Sequence, residues 1–212
     1  MFRIYDITWP IHPKMPVYKN RLKQCPRIET TRDYEAGIRE SQITINLHTG
    51  THLDAPMHVD KEGVSVDQLG LLPLLGPCRV LDLTGVGEKI EAGDLAGQAI
   101  AAGEFILLKT QNSLVGSVAE DFVYLGASGA QYLAQAQVRG VGIDALGIER
   151  DQPEHPSHKV LLQKGIIIVE GLYLDEVAPG SYFLVALPLK VIGTEAAPLR
   201  AVLITPEADM PT

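Results

Sequence analysis

A mixed α/β fold, built on a mixed sheet with a βαβ crossover, follows from three features of this 212-residue sequence. Short apolar runs recur at strand length, one segment alternates with a period of two, and one well-bounded helix stands before another apolar run. The N-terminal part carries Pro10, Pro13, Pro16 and Pro26 and predicts extended loops, because proline removes a backbone donor and fixes φ. From Ser41 to Leu47, Ile43, Ile45 and Leu47 alternate with Gln42, Thr44 and Asn46, the pattern of a half-buried strand. Arg79–Thr84 and Phe105–Thr110 are apolar runs of strand length. The spacing predicts a helix over Ser128–Arg139, with Ser128 as cap, Gln131 three residues on and Gly140 past the end. Val141–Asp144 follows as a strand, so strand, helix and strand form a crossover and imply parallel pairing. Ile166–Val169 reads as a short buried strand, and Ser181–Leu187 and Leu199–Thr205 as antiparallel ones. No repeat or linker divides residues 1–212, which are read as one domain.

Composition narrows the function classes. Hydrophobic residues at 46% and charged residues at 21% allow an ordinary globular core. A net charge of −8 without a basic run excludes the positive footprint that nucleic-acid binding requires. Apolar stretches such as Gly165–Val169 are too short to span a bilayer, so no membrane partner is expected. The start of the sequence lacks the apolar centre of a secretory signal, and Cys25 and Cys78 lie far apart with no CxxC spacing. Free thiols and a cytoplasmic location are the expectation.

The densest chemistry lies in His48-Thr49-Gly50-Thr51-His52-Leu53-Asp54-Ala55-Pro56-Met57-His58. Imidazole and carboxylate are the usual ligands for zinc and related divalent ions. Ordinary hydrogen bonding on a polar strand is the competing reading, and it explains three histidines and an aspartate in eleven residues poorly. The spacing of His48 and His52 invites a helical HExxH reading, but Gly50, two threonines and Pro56 make a poor helix. An extended segment is expected instead. His48, His52, Asp54 and His58 all have even numbers and would share one side of it. Four such residues exceed the three protein ligands of a typical catalytic zinc. The surplus serves as a fourth ligand, a bridge to a second ion or a proton-transfer group. Thr49 and Thr51 either bond the ligating side chains or act as plain strand formers.

Further on stand Glu154-His155-Pro156-Ser157-His158 and, ending an apolar run, Glu170. The eleven-residue packet His48–His58 resembles the HxGTHxDxPxH pattern of the metal-dependent cyclase-like hydrolases, a group that includes bacterial kynurenine formamidases and isatin hydrolases. The resemblance extends to Tyr5-Asp6-Ile7-Thr8, Met15-Pro16-Val17-Tyr18, Val141-Gly142-Ile143-Asp144, Val169-Glu170-Gly171-Leu172 and Ala186-Leu187-Pro188-Leu189-Lys190. It implies a swivelling β/α/β domain in a homo-oligomer, a dimer or tetramer. It implies that His48, His52 and Asp54 hold a first metal, zinc or in some members manganese. Asp54 would bridge to a second ion completed by His158 and Glu170, with His58 as proton donor and acceptor. His155 receives no role. Tyr18 stands where formamidases often carry Trp, and either packs an aromatic substrate or serves as a core or interface tyrosine. Gly147 stands where Ser is expected in many members.

The function so implied is a metal-dependent amidohydrolase acting on a small-molecule amide, foremost the N-formyl group of an aryl formamide such as N-formylkynurenine. A related hydrolase opening a cyclic amide needs the same activated water, and pocket walls rather than ligands would separate the two. A non-catalytic metal-binding member of the scaffold is the reading from another class; the presence of His58 and Glu170 counts against it. A structural zinc is usually closed by four Cys or His ligands, whereas this set has two carboxylates and no Cys.

Overall fold

The computed structural model describes residues 1–115 and 121–206. In chain order the elements are β1 (Phe2–Asp6), β2 (Arg27–Arg32), β3 (Glu40–Thr44), β4 (His52–Asp54), β5 (Leu75–Asp82), β6 (Lys89–Ile90), α1 (Ala92–Ala96), β7 (Phe105–Lys109), β8 (Tyr124–Leu125), α2 (Ala127–Gln135), β9 (Gly140–Ile143), α3 (Pro156–Gln163), β10 (Ile167–Glu170), β11 (Gly180–Pro188) and β12 (Ala196–Pro206). No helix among the described residues is long and apolar enough to cross a membrane.

Four adjacent strands, β5, β7, β9 and β10, run parallel to one another. The crossover through α2 that the sequence predicts lies between β7 and β9, and α3 makes a second one between β9 and β10. Antiparallel strands complete a mixed eight-stranded sheet in the order β1-β12-β11-β5-β7-β9-β10-β4. β12 also pairs with β4 through Ala196–Pro198, so the sheet curls back on itself. The runs along β7 show why its sequence is apolar throughout. Phe105 and Leu107 pack in the cluster inside the curled sheet, with Leu53, Val169 and Leu203. Ile106 and Leu108 pack with Leu133 of α2 and Leu161 of α3. Both faces of a parallel strand are buried, so no polar alternation remains.

Several sequence expectations need correction. The helix predicted over Ser128–Arg139 ends at Gln135 and begins at Ala127, with Gly126 at its cap position. Ser128 lies inside the first turn, where its hydroxyl donates to Glu91 and accepts from Ala92 N–H. The left-handed residue after the helix is Gln137, at φ 56°. Gly140 has another purpose, because a Cβ there would sit 2.3 Å from the Phe105 ring. The strand expected over Ser41–Leu47 is shorter, Glu40–Thr44, and exposed on both faces in a hairpin with β2. Alternation there reflects an Ile28–Ile43 cross-strand pair. The N-terminal loops also contain β1 and β2, which the proline count obscured.

Candidate metal centre

The extended segment expected over residues 48–58 is broken into three pieces. Only His52–Asp54 forms a strand. There the parity argument holds: Leu53 joins the core inside the sheet, while His52 and Asp54 point to the other side. His48 instead occupies a turn, where its N–H bonds the Asn46 side-chain oxygen at 2.9 Å. His58 ends a single 3-10 turn that begins at Pro56, and its N–H bonds the Ala55 carbonyl.

These turns nevertheless bring the residues together. Antiparallel pairing of β4 with β10 sets Glu170 directly opposite His52. His158 arrives from the first turns of α3. His52 Nε2 is 3.2 Å from Glu170 Oε2 and 3.5 Å from Asp54 Oδ1. His158 Nε2 is 3.2 Å from Glu170 Oε1 and 3.5 Å from Asp54 Oδ2. His48 Nδ1 is 3.0 Å from Asp54 Oδ1, and the His58 ring lies 4.4 Å from that of His48 and 5.3 Å from that of His158. Asp54 is the shared member: its carboxylate belongs to one group with His48 and His58 and to another with His52 and Glu170.

This geometry fits divalent cations. His52 Nε2 and both Asp54 oxygens are fully buried yet have no hydrogen-bond partner among the described residues. Buried polar atoms are otherwise almost always paired, and a buried carboxylate is costly unless positive charge compensates, which the neighbouring imidazoles supply when protonated and a bound cation would supply when they are neutral. The N,O donor set suits zinc and manganese alike.

The charges press on one another strongly. Burial works to lower the His52 pKa, but Glu170 and Asp54 outweigh it and hold the imidazole at about 9. Burial likewise opposes protonation of His158, and the carboxylates of Asp54, Glu149 and Glu170 carry it well above the ordinary value. Burial would raise the Asp54 carboxyl, yet the imidazoles of His158 and His48 hold it well below the carboxylate range. His58 goes the other way: partial desolvation in the pocket lowers its pKa, although the ring stays accessible to solvent.

A cavity of about 220 Å³ opens over these groups, and Tyr18, Gln24, Leu146 and Gly147 line it together with His48, His58, His158 and Glu170. The Tyr18 hydroxyl accepts from Asp151 N–H at 3.2 Å, and its ring lies 6.3 Å from that of Phe122. A Cβ at Gly147 would stand 3.8 Å from both Tyr18 and Glu170. His155 also lines the cavity but is exposed, in left-handed conformation at φ 49°.

Both threonines of the packet serve the backbone rather than the ligating side chains. Thr51 Oγ1 donates to the Gly171 carbonyl at 2.5 Å and accepts from Trp9 N–H at 2.9 Å. Thr49 Oγ1 donates to the Gln24 carbonyl. His52 is oriented by the Gly50 carbonyl, 3.0 Å from Nδ1. Two carboxylates at the site escaped the sequence reading. Glu149 contacts His158, and Glu195 lies 3.3 Å from His48 Nε2. Neither belongs to a motif, and only the fold brings them near.

Residues 5–150 match the family model described as putative cyclase. A kynurenine formamidase from Salinibacter ruber is 37% identical over 204 residues, covering 94% of this chain and 96% of the relative. A solved structure described as a potential metal-dependent hydrolase with cyclase activity superposes with a TM-score of 0.91 at 45% identity, covering 98% of this chain and all of that one. Isatin hydrolase A from Labrenzia aggregata shares the fold, with a TM-score of 0.85 at 24% identity over 97% of this chain and 94% of that one.

Proposed function

The chain belongs to the putative cyclase family of metal-dependent hydrolases, and we propose that it hydrolyses the N-formyl group of an aryl formamide, N-formylkynurenine foremost. Hydrolysis of a non-peptide C–N bond is the chemistry named for its formamidase relatives. The observation that carries the reading is the set of buried, unpartnered atoms on His52 and Asp54, facing His48, His158 and Glu170 beneath an open pocket.

In this reading His48, His52 and Asp54 hold one ion, and Asp54, His158 and Glu170 a second. Bound there, a divalent metal would lower the pKa of a water toward neutrality and polarise the formyl carbonyl. The aryl ring packs against Tyr18 in the same cavity. His58, neutral near pH 7 because its pKa is lowered, takes the proton of the attacking water. It returns that proton to the amine nitrogen as the C–N bond breaks and formate leaves. Zinc, commonly held by imidazole and carboxylate, is the ion expected, with manganese as the alternative. The eight-stranded sheet takes its first strand from residue 2 onward and its last up to residue 206, which supports a single domain. Ile4, Ile204 and Phe183, aligned across its outer face with Ile4 and Phe183 exposed, support a homo-oligomer.

The test is metal analysis of the purified protein together with formamide hydrolysis before and after chelation. Bound metal and formate release that are lost together and restored by added metal are expected. Full activity in metal-free protein would overturn the reading. A panel of aryl formamides and cyclic amides at fixed metal then assigns the substrate class.

A further inference from the structure

We propose that Glu149 is a positioning residue that aims His158 into the site, and that it governs one of the two proposed ions selectively. The inference rests on the metal reading above. Glu149 is almost fully buried, at 4% exposure, although it lies in no strand or helix. Its Oε2 accepts from His158 Nδ1 at 2.5 Å, and its Oε1 accepts from Ser157 N–H at 2.5 Å. One carboxylate thus grips the backbone and the ring of consecutive residues at the start of α3. The ring cannot turn over without breaking a charge-assisted bond. With Nδ1 committed as donor, Nε2 is the nitrogen aimed at the site, where it stands between Asp54 Oδ2 and Glu170 Oε1 and would give its lone pair to a bound ion on losing its proton.

The neighbouring residue strengthens the arrangement. Ile148 N–H donates to Glu170 Oε1 at 2.5 Å. Residues 148 and 149 therefore hold both His158 and Glu170. Asp144, whose oxygens accept from Thr110 and Ser113, anchors the start of this loop. Among the described residues, neither Glu149 nor Ile148 makes a hydrogen bond or ion pair with His48 or His52, whose positions depend on Asn46, Gly50 and β4. A defect at Glu149 should consequently reach the ion shared by Asp54, His158 and Glu170, and leave the ion of His48, His52 and Asp54 in place.

Calorimetric titration of chelated protein with Mn²⁺ or Zn²⁺ tests this without reference to activity. Wild type should take up two ions. Glu149→Ala should weaken one of them by about 10–100-fold and leave the other unchanged. Glu149→Gln retains a carbonyl for Ser157 N–H but loses the anion facing the imidazole, and should weaken the same ion less. Equal weakening of both ions with a lowered melting temperature would mean a merely structural role, and unchanged affinities would mean no role; either overturns the proposal. If Glu149→Ala fails to fold, Glu149→Gln decides. Wild type that binds no metal would defeat the metal reading itself. Wild type with one ion would defeat only the two-ion arrangement, and Glu149 would then stand or fall on whether that ion weakens.

Discussion

The two walls of the site are built by different means. On the inner wall, His52, Asp54, His158 and Glu170 project from β4, α3 and β10 and are 0–6% exposed. On the outer wall, His48 and His58 ride on turns, the first with a quarter of its side chain exposed and the second open to the pocket. Regular elements set each inner imidazole 3.2–3.5 Å from the inner carboxylates, at the expense of burying both of these carboxylates. Such burial is tolerable only with compensating positive charge. Turns leave the outer imidazoles where a substrate can reach them. The contrast suggests a division of labour: an inner wall for holding cations and an outer wall that also handles protons.

Replacing His58 breaks the comparison most directly. His58→Ala should lower turnover by about 10²–10⁴-fold, the range for general acid–base help, while bound metal per chain stays at the wild-type value. Steady-state hydrolysis and elemental analysis of one preparation measure both. Equal loss of metal and activity would return His58 to the ligand set and erase the proposed division.

A second break lies where the two walls are fastened together. Gly171 follows the inner Glu170, has φ +65°, and a Cβ there would stand 2.2 Å from the Gly50 carbonyl in the packet. Gly171→Ala should cost about 2–5 kcal/mol, from left-handed strain and overpacking. The urea midpoint should fall with it. An unchanged midpoint would show that the packet and the β10 end are not locked by this contact.

The same contrast explains what was legible in the sequence. The parity of His52 and Asp54 survives because both lie on one strand with Leu53 turned inward. It fails for His48 and His58 because Gly50 at φ +72° and the turn at Pro56 intervene. The βαβ crossover was readable because its strands are local apolar runs on either side of α2. The curl of the sheet was not, since β12 meets β4 across more than a hundred residues. Glu149 was invisible for a related reason: its partner becomes apparent only once α3 is folded.

The smallest expected effect sharpens the comparison by titration of metal-free protein. Burial and the charge of Asp54 push the Glu170 pKa up, but His158 and His52 outweigh them and hold it at about 2 against an ordinary 4.5. This depressed carboxyl contributes stability above pH 4.5 that is lost as pH falls toward about 2. His52, held at about 9 against an ordinary 6.5, contributes stability below pH 6.5 that is lost as pH rises toward about 9. The inner wall of the chelated protein should therefore stabilise the fold most between pH 4.5 and 6.5, with the melting temperature declining on both sides. Ligation requires neutral imidazole and ionised carboxylate, so metal affinity rises with pH. Added metal should abolish the alkaline decline and leave the acidic one. Coincident melting curves with and without chelator would show that the inner wall holds no cation.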